Sequence, residues 1–152
     1  MKRGIHMPTS PKGIINELLV DVFNNILRIE QQHMRQQGVT LSMNEIHVLE
    51  AIQKSEDATM SNIARRLHIT VGTLTTSINR LVDKGYCERY RTDEDKRKVF
   101  IRLTRQGKQV LKIHEKFHDE MIDAVIEDMH LEENAVLIDS LEKLTDYFKN
   151  KY

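Results

Sequence analysis

The stretch His68–Arg80, "HITVGTLTTSINR", decides how the chain is read. Its apolar residues, with Leu81 just beyond, recur every three or four positions: Val71, Leu74, Ile78 and Leu81. That spacing predicts a helix. The remaining positions are unusual for one. Gly72, Thr73, Thr75, Thr76 and Ser77 are mediocre or poor helix formers, and glycine costs about 1 kcal/mol against alanine in a helix interior. At about 100° per residue, Gly72, Thr76, Asn79 and Arg80 fall away from the apolar face, flanked by Thr73 and Thr75. No carboxylate enters the helix until Asp83, in its last turn. A solvent face chosen for stability alone would carry Glu, Lys and Gln. This face is small, hydroxylated and free of negative charge, which suits a helix pressed into the DNA major groove. Gly72 permits close approach. The threonines offer hydroxyls to phosphates and methyls to thymine, and Asn79 and Arg80 can reach base edges or phosphates.

The flanking segments extend that reading. Upstream, "MSNIARRLHIT" turns Ile63, Ala64 and Leu67 inward, and Thr59 and Thr70 stand where helix caps are expected. Two short helices joined by a tight turn at His68–Thr70 form a helix-turn-helix, with Ser61, Arg65 and Arg66 as candidate phosphate contacts. A helical hairpin with no nucleic-acid role would share this pattern. Downstream, "YCERYR" and "KVFIRLT" predict two strands, the second with Val99, Ile101 and Leu103 in alternation. Between them "TDEDKR" is a charged hairpin tip. Arg91, Lys96, Arg97 and Lys98 are its candidate DNA contacts. Asp95 is expected to orient Arg97 by a side-chain pair, leaving Arg97 to enter a minor groove of negative potential.

Further out, Ile15, Leu18, Leu19, Val22, Phe23, Ile26 and Ile29 predict an amphipathic helix over about 13–36, ended by Gly38. Ser42 and Glu45 form a capping box for a helix reaching about Lys54. Thr104 can cap a long helix over 105–128, and a last helix spans about 132–149. The fold class is therefore mainly α with one β-hairpin. Residues 1–11 read as a flexible arm, 40–104 as the DNA-binding domain, and 12–39 and 105–152 as helices that bury their apolar faces in a two-fold dimer rather than a monomeric bundle.

The formal net charge is zero, but its distribution is not even. Residues 1–63 carry 6 Lys+Arg and 7 Asp+Glu, net −1; residues 64–108 carry 12 and 5, net +7; residues 109–152 carry 5 and 11, net −6. A basic middle on a neutral chain is the footprint of a local polyanion site. No apolar run reaches the roughly 20 residues of a membrane span. The N-terminus lacks the apolar core of a signal peptide, and the single Cys87 fits a reducing cytoplasm.

With these residues in view, the chain resembles the MarR family of winged helix-turn-helix regulators. The likeness rests on "NEIHVLEAI", "SNIARRLHITVGTLTTSINRLVDKGYCERYR" and the hairpin "DEDKRKVFIRLTRQG", with Asp95 and Arg97 followed by Leu103, Thr104 and Gly107. Within the family it is most similar to the FabT-type repressors of fatty-acid biosynthesis, on "VFNNILRIEQQHMR", "TVGTLTTSINRL", "GYCERYRTDEDKRKV" and "KIHEKFHDEM". That resemblance implies a homodimer on a near-palindromic operator. It implies a long-chain acyl group on acyl carrier protein as corepressor. It also implies recognition-helix contacts at Thr70, Gly72, Thr73, Thr75, Thr76 and Asn79, and wing contacts at Arg91, Lys96, Arg97 and Lys98. The effector pocket implied includes Phe23, Leu27, Glu30, His47, His114 and Phe117.

Two rival effectors stay open, a small aromatic ligand and zinc. His114 and His118 stand four apart on one helix, where two imidazoles can share a metal, with His47 and His33 on helices that could approach them. The zinc-sensing members that the chain resembles use histidines at similar positions. Hydrogen-bonded, partly buried histidines are the plainer reading, and the chain is assigned no cofactor and no metal. Cys87, at the start of a strand, reads as a small hydrophobe rather than a redox sensor. No Gly-rich phosphate loop, G-x-S-x-G or catalytic Cys/His pair marks an enzyme.

Overall fold

A computed structural model describes residues 10–93 and 95–151. Residues 1–9, most of the expected arm, and Glu94, in the expected hairpin tip, lie outside them. The chain divides into two units, Met1–His114 and Glu115–Tyr152.

The first unit opens with α1 (Pro11–Asn16), a π-helical segment (Glu17–Val22) and α2 (Phe23–Gln36). Helix starts at Pro11, inside the span read as an arm. Ser10 accepts the Gly13 N–H at 3.1 Å, and a proline suits the first turn because its missing N–H would have no partner there. Gly38 ends α2 at φ +78°, where the Val39 N–H bonds back to the Met34 carbonyl at 2.9 Å. The capping box then opens α3 (Met43–Gln53): Ser42 caps the Glu45 N–H and Glu45 returns to the Ser42 N–H at 2.9 Å. Thr59 caps α4 (Met60–Arg66) and Thr70 caps α5 (Val71–Asp83). The turn between them places His68 at φ +53°.

Strands β1 (Cys87–Tyr90) and β2 (Phe100–Leu103) pair antiparallel, Cys87 opposite Leu103 and Tyr90 opposite Phe100. A third edge was not visible in the sequence. Thr59 bridges Phe100, and the Ile101 N–H donates to the Ala58 carbonyl at 2.8 Å. The hairpin is thereby sewn to the chain just before α4. The core lies among α2 to α5, the hairpin and the start of α6 (Arg105–Asp128). Met34, Leu41, Ile46, Leu49, Ile63, Leu74, Ile78, Leu81, Ile101 and Leu111 are fully buried in it. This is the expected winged helix-turn-helix.

Thr104 locks α6 to the segment that follows α5. Its N–H donates to the Tyr86 carbonyl, its hydroxyl donates to the Gly85 carbonyl at 2.7 Å, and it caps the Gly107 N–H. In the second unit, the helix expected from 132 is divided. A 3₁₀ turn (Leu131–Glu133) precedes α7 (Ala135–Lys151), because Asn134 turns its side chain to cap the Leu137 N–H at 3.1 Å. No helix among the described residues is long and apolar enough to cross a membrane.

Candidate nucleic-acid interface

The geometry of α5 follows its two-faced sequence. Leu74, Ile78 and Leu81 are buried, whereas Gly72, Thr73, Thr75, Thr76, Asn79 and Arg80 are exposed. Not every threonine hydroxyl is available as expected. Thr70 accepts the Thr73 N–H at 3.1 Å and shares a 2.9 Å hydrogen bond with the Thr73 hydroxyl. Thr75 donates to the Val71 carbonyl at 2.7 Å. These side chains serve the helix first, so what they bring to a partner is chiefly small size. Gly72 is open: a Cβ there would meet only the Thr70 hydroxyl, at 3.9 Å.

Ser61 and Arg65 are exposed on α4. Arg65 is held by Asn62, which accepts from its guanidinium at 3.2 Å and donates to the Asp57 carbonyl at 3.0 Å. Asn62 is a positioning group that the sequence reading missed. Arg66 is exposed as well. It donates to the Lys54 carbonyl at 2.8 Å, closing the end of α3.

Arg91, Lys96, Arg97 and Lys98 are exposed around the wing. Asp95 does grip Arg97, but not through the guanidinium. The Arg97 backbone N–H donates to Asp95 Oδ1 at 3.0 Å, and Lys98 Nζ lies 3.8 Å from Asp95 Oδ2. A short aspartate two residues upstream can fold back on the main chain more readily than it can reach a long side chain. Its effect is to shape the turn while leaving the Arg97 head free of it. Two further arginines stand on the strands. Arg102 is tied to Glu88 at 2.6 Å and lies over the Tyr90 ring at 5.0 Å. Arg89 crosses to α5, where its guanidinium donates to Asn79 Oδ1. Nearby, burial pushes the Cys87 thiol up to about 11, against the pull of the Arg89 charge, as a buried small hydrophobe requires.

Of the expected effector residues, the first unit brings three together. One donor atom from each of Glu30, His47 and His114 lies within 4.8 Å of the others. Glu30 and His114 are 2% and 1% exposed. His114 Nε2 is 3.8 Å from Glu30 Oε1, and its Nδ1 is 3.2 Å from Glu50 Oε1. That imidazole holds the Glu50 carboxyl below its ordinary value, against its partial burial. Glu50 was not singled out in the sequence. Leu27 is half-buried, whereas Phe23 is 57% exposed on the same helix. Phe117 and His118 belong to the second unit, their rings 5.8 Å apart. Among the described residues the convergent donor set is Glu30, His47 and His114.

A solved structure of Streptococcus pneumoniae FabT in complex with DNA is 37% identical, covers 93% of this chain and 99% of that one, and superposes with a TM-score of 0.84. The model of the MarR family matches residues 41–99, from the start of α3 to the wing. The chain belongs to the MarR family. A second solved structure, the S. aureus MepR–DNA complex, shares the fold at 21% identity and a TM-score of 0.69, covering 88% of this chain and 96% of that one. Among curated relatives, the Bacillus subtilis HTH-type transcriptional regulator PchR is 27% identical over 107 residues, 68% of this chain and 63% of its own length. The uncharacterized B. subtilis HTH-type regulator YhjH is matched over 62% of its length, so the chain spans under two thirds of these first curated relatives. The matched span contains α3, α4, α5 and β1.

Proposed function

We propose that this MarR-family chain is a homodimeric, sequence-specific DNA-binding repressor of fatty-acid biosynthesis genes, with a long-chain acyl group on acyl carrier protein as corepressor. The observation that carries the DNA half is the 37% identity, across nearly the whole chain, to a FabT structure solved on DNA. An α5 face without carboxylates before its last turn supports it. The dimer is supported by apolar side chains left exposed in each unit, including Ile15, Leu19 and Phe23 in the first and Val136, Leu141 and Phe148 in the second. In this reading α5 enters the major groove, α4 crosses the backbone and the wing reaches the minor groove. It is a regulator, not an enzyme. It works in the cytoplasm, and its operator is near-palindromic.

Fluorescence anisotropy on a fatty-acid-synthesis promoter fragment tests this reading. Long-chain acyl carrier protein should tighten binding at least tenfold, while the unacylated carrier should not. Tight DNA binding indifferent to the acyl group would leave a DNA-binding regulator with a different effector. A second reading, a metal-responsive repressor, is favoured by the convergence of Glu30, His47 and His114. Two imidazoles and a carboxylate are a donor set suited to zinc. Zinc-dependent DNA binding, abolished by a chelator and by His114→Ala, would move the assignment there.

A further inference from the structure

Asn79 stands on the exposed face of α5, and an asparagine side chain is ambivalent. Its Oδ1 accepts, its Nδ2 donates, and rotation exchanges them. Paired with adenine it uses both, accepting from N6 and donating to N7. In this chain the choice is made by a residue on another element. Arg89, on β1, aims its guanidinium at the Asn79 carboxamide. A guanidinium only donates, so the oxygen must face it; the reversed amide would set donor against donor. The oxygen is then turned toward Arg89 and the Nδ2 hydrogens away from it, while the second lone pair of Oδ1 can still accept.

We propose that Arg89 is a positioning residue that fixes the orientation of the Asn79 carboxamide, so that Nδ2 is the group turned toward DNA acceptors. The proposal rests on α5 being the DNA-reading helix. The acceptor can be a phosphate oxygen or a base edge such as guanine O6 or N7, adenine N7 or thymine O4. Arg89 also ties the wing strand to the reading helix, so the two DNA-contacting elements share one hydrogen bond.

The first arm needs no DNA. In ¹H–¹⁵N spectra of the full chain, the Asn79 side-chain amide is identified by its loss in Asn79→Ala. Arg89→Met should shift it, and Arg89→Lys should shift it less. No shift in Arg89→Met would overturn the proposal, whatever the chain binds. The second arm measures operator affinity in a double-mutant cycle. Arg89→Met should weaken binding about tenfold in the wild type and much less in Asn79→Ala. An equal loss in both backgrounds would make Arg89 an independent phosphate contact and overturn the proposal. The third arm is selection from a randomised half-site. If the partner is a base, Arg89→Met, with the Asn79 amide free to turn, should change the base preference at the step that Asn79→Ala relaxes. If the partner is a phosphate, a methylphosphonate there should weaken the wild type but not Asn79→Ala. A base preference at that step that Asn79→Ala relaxes but Arg89→Met leaves unchanged would end the proposal. Failure of all DNA binding would instead remove the functional reading, leaving the spectral arm to decide the Arg89–Asn79 pair.

Discussion

Gly72 and Gly107 both stand in helix first turns, and the space around them gives alanine opposite consequences. A Cβ on Gly107 would lie 2.1 Å from the Tyr86 carbonyl oxygen, which is backbone and cannot swing aside. That carbonyl is already fixed by the Thr104 N–H at 3.1 Å. Gly107→Ala should therefore destabilise the fold by about 2–3 kcal/mol, the upper part of the usual overpacking range. At Gly72 the nearest group is a hydroxyl at 3.9 Å, so alanine fits and should stabilise α5 by about 0.5–1 kcal/mol. Its added methyl occupies the face proposed to approach DNA, so operator affinity should fall while the urea midpoint rises. Urea unfolding and anisotropy on both variants check the pair. A Gly72→Ala protein that is more stable and binds as tightly as wild type would show that this face does not approach DNA closely.

At the scale of elements, the capping box of α3 is fastened to α5. Lys84, which closes α5, reaches Glu45 at 2.7 Å. Partial burial of Glu45 favours the protonated acid, but the hydrogen bonds from Lys84 and Ser42 outweigh it and hold the carboxyl below 4.5. A lowered carboxylate stabilises the fold above its unfolded value, and that contribution is lost as pH falls through the folded one. Stability should thus decline below about pH 4.5 as this site protonates. Glu45→Gln should cost about 1 kcal/mol at pH 7 and flatten that part of the profile, read by urea unfolding at pH 7 and pH 3.5. An unchanged slope would place the acid sensitivity elsewhere. The box was legible in the sequence because Ser42 and Glu45 are three residues apart; Lys84, 39 residues from Glu45, was not. The same division runs through the molecule. Caps, the α5 faces and the hairpin are local patterns, and they were read correctly. The π-helical turn at Glu17–Val22, the Ala58–Thr59 edge on β2, the Arg89–Asn79 bond and the approach of Glu50 to His114 depend on where distant segments meet. The Arg66 bond to the Lys54 carbonyl has that origin too, since only folding brings the two together.

For the whole molecule, charge decides what a neutral chain can bind. The +7 of residues 64–108 is the sum over 12 basic and 5 acidic residues, and folding sorts them further. Arg102 pairs with Glu88, Lys84 with Glu45, and Lys98 faces Asp95. Exposed Arg65, Arg80, Arg91, Lys96 and Arg97 carry the rest of the field around α4, α5 and the wing. Each phosphate they neutralise releases counterions, at about 0.9 in the slope of log K against log salt. About four phosphates per protomer would give the proposed dimer a slope near −7. Arg97→Ala removes one charge from each of two wings, so the slope should relax by about 2 and affinity at physiological salt should fall. The fold should be untouched, because Asp95 holds the Arg97 backbone N–H and not the side chain. Anisotropy titrations across 50–300 mM salt, with thermal unfolding as the control, separate these effects. An Arg97→Ala dimer with the wild-type slope would mean that the wing does not touch DNA, and that the basic field acts through α4 and α5 alone.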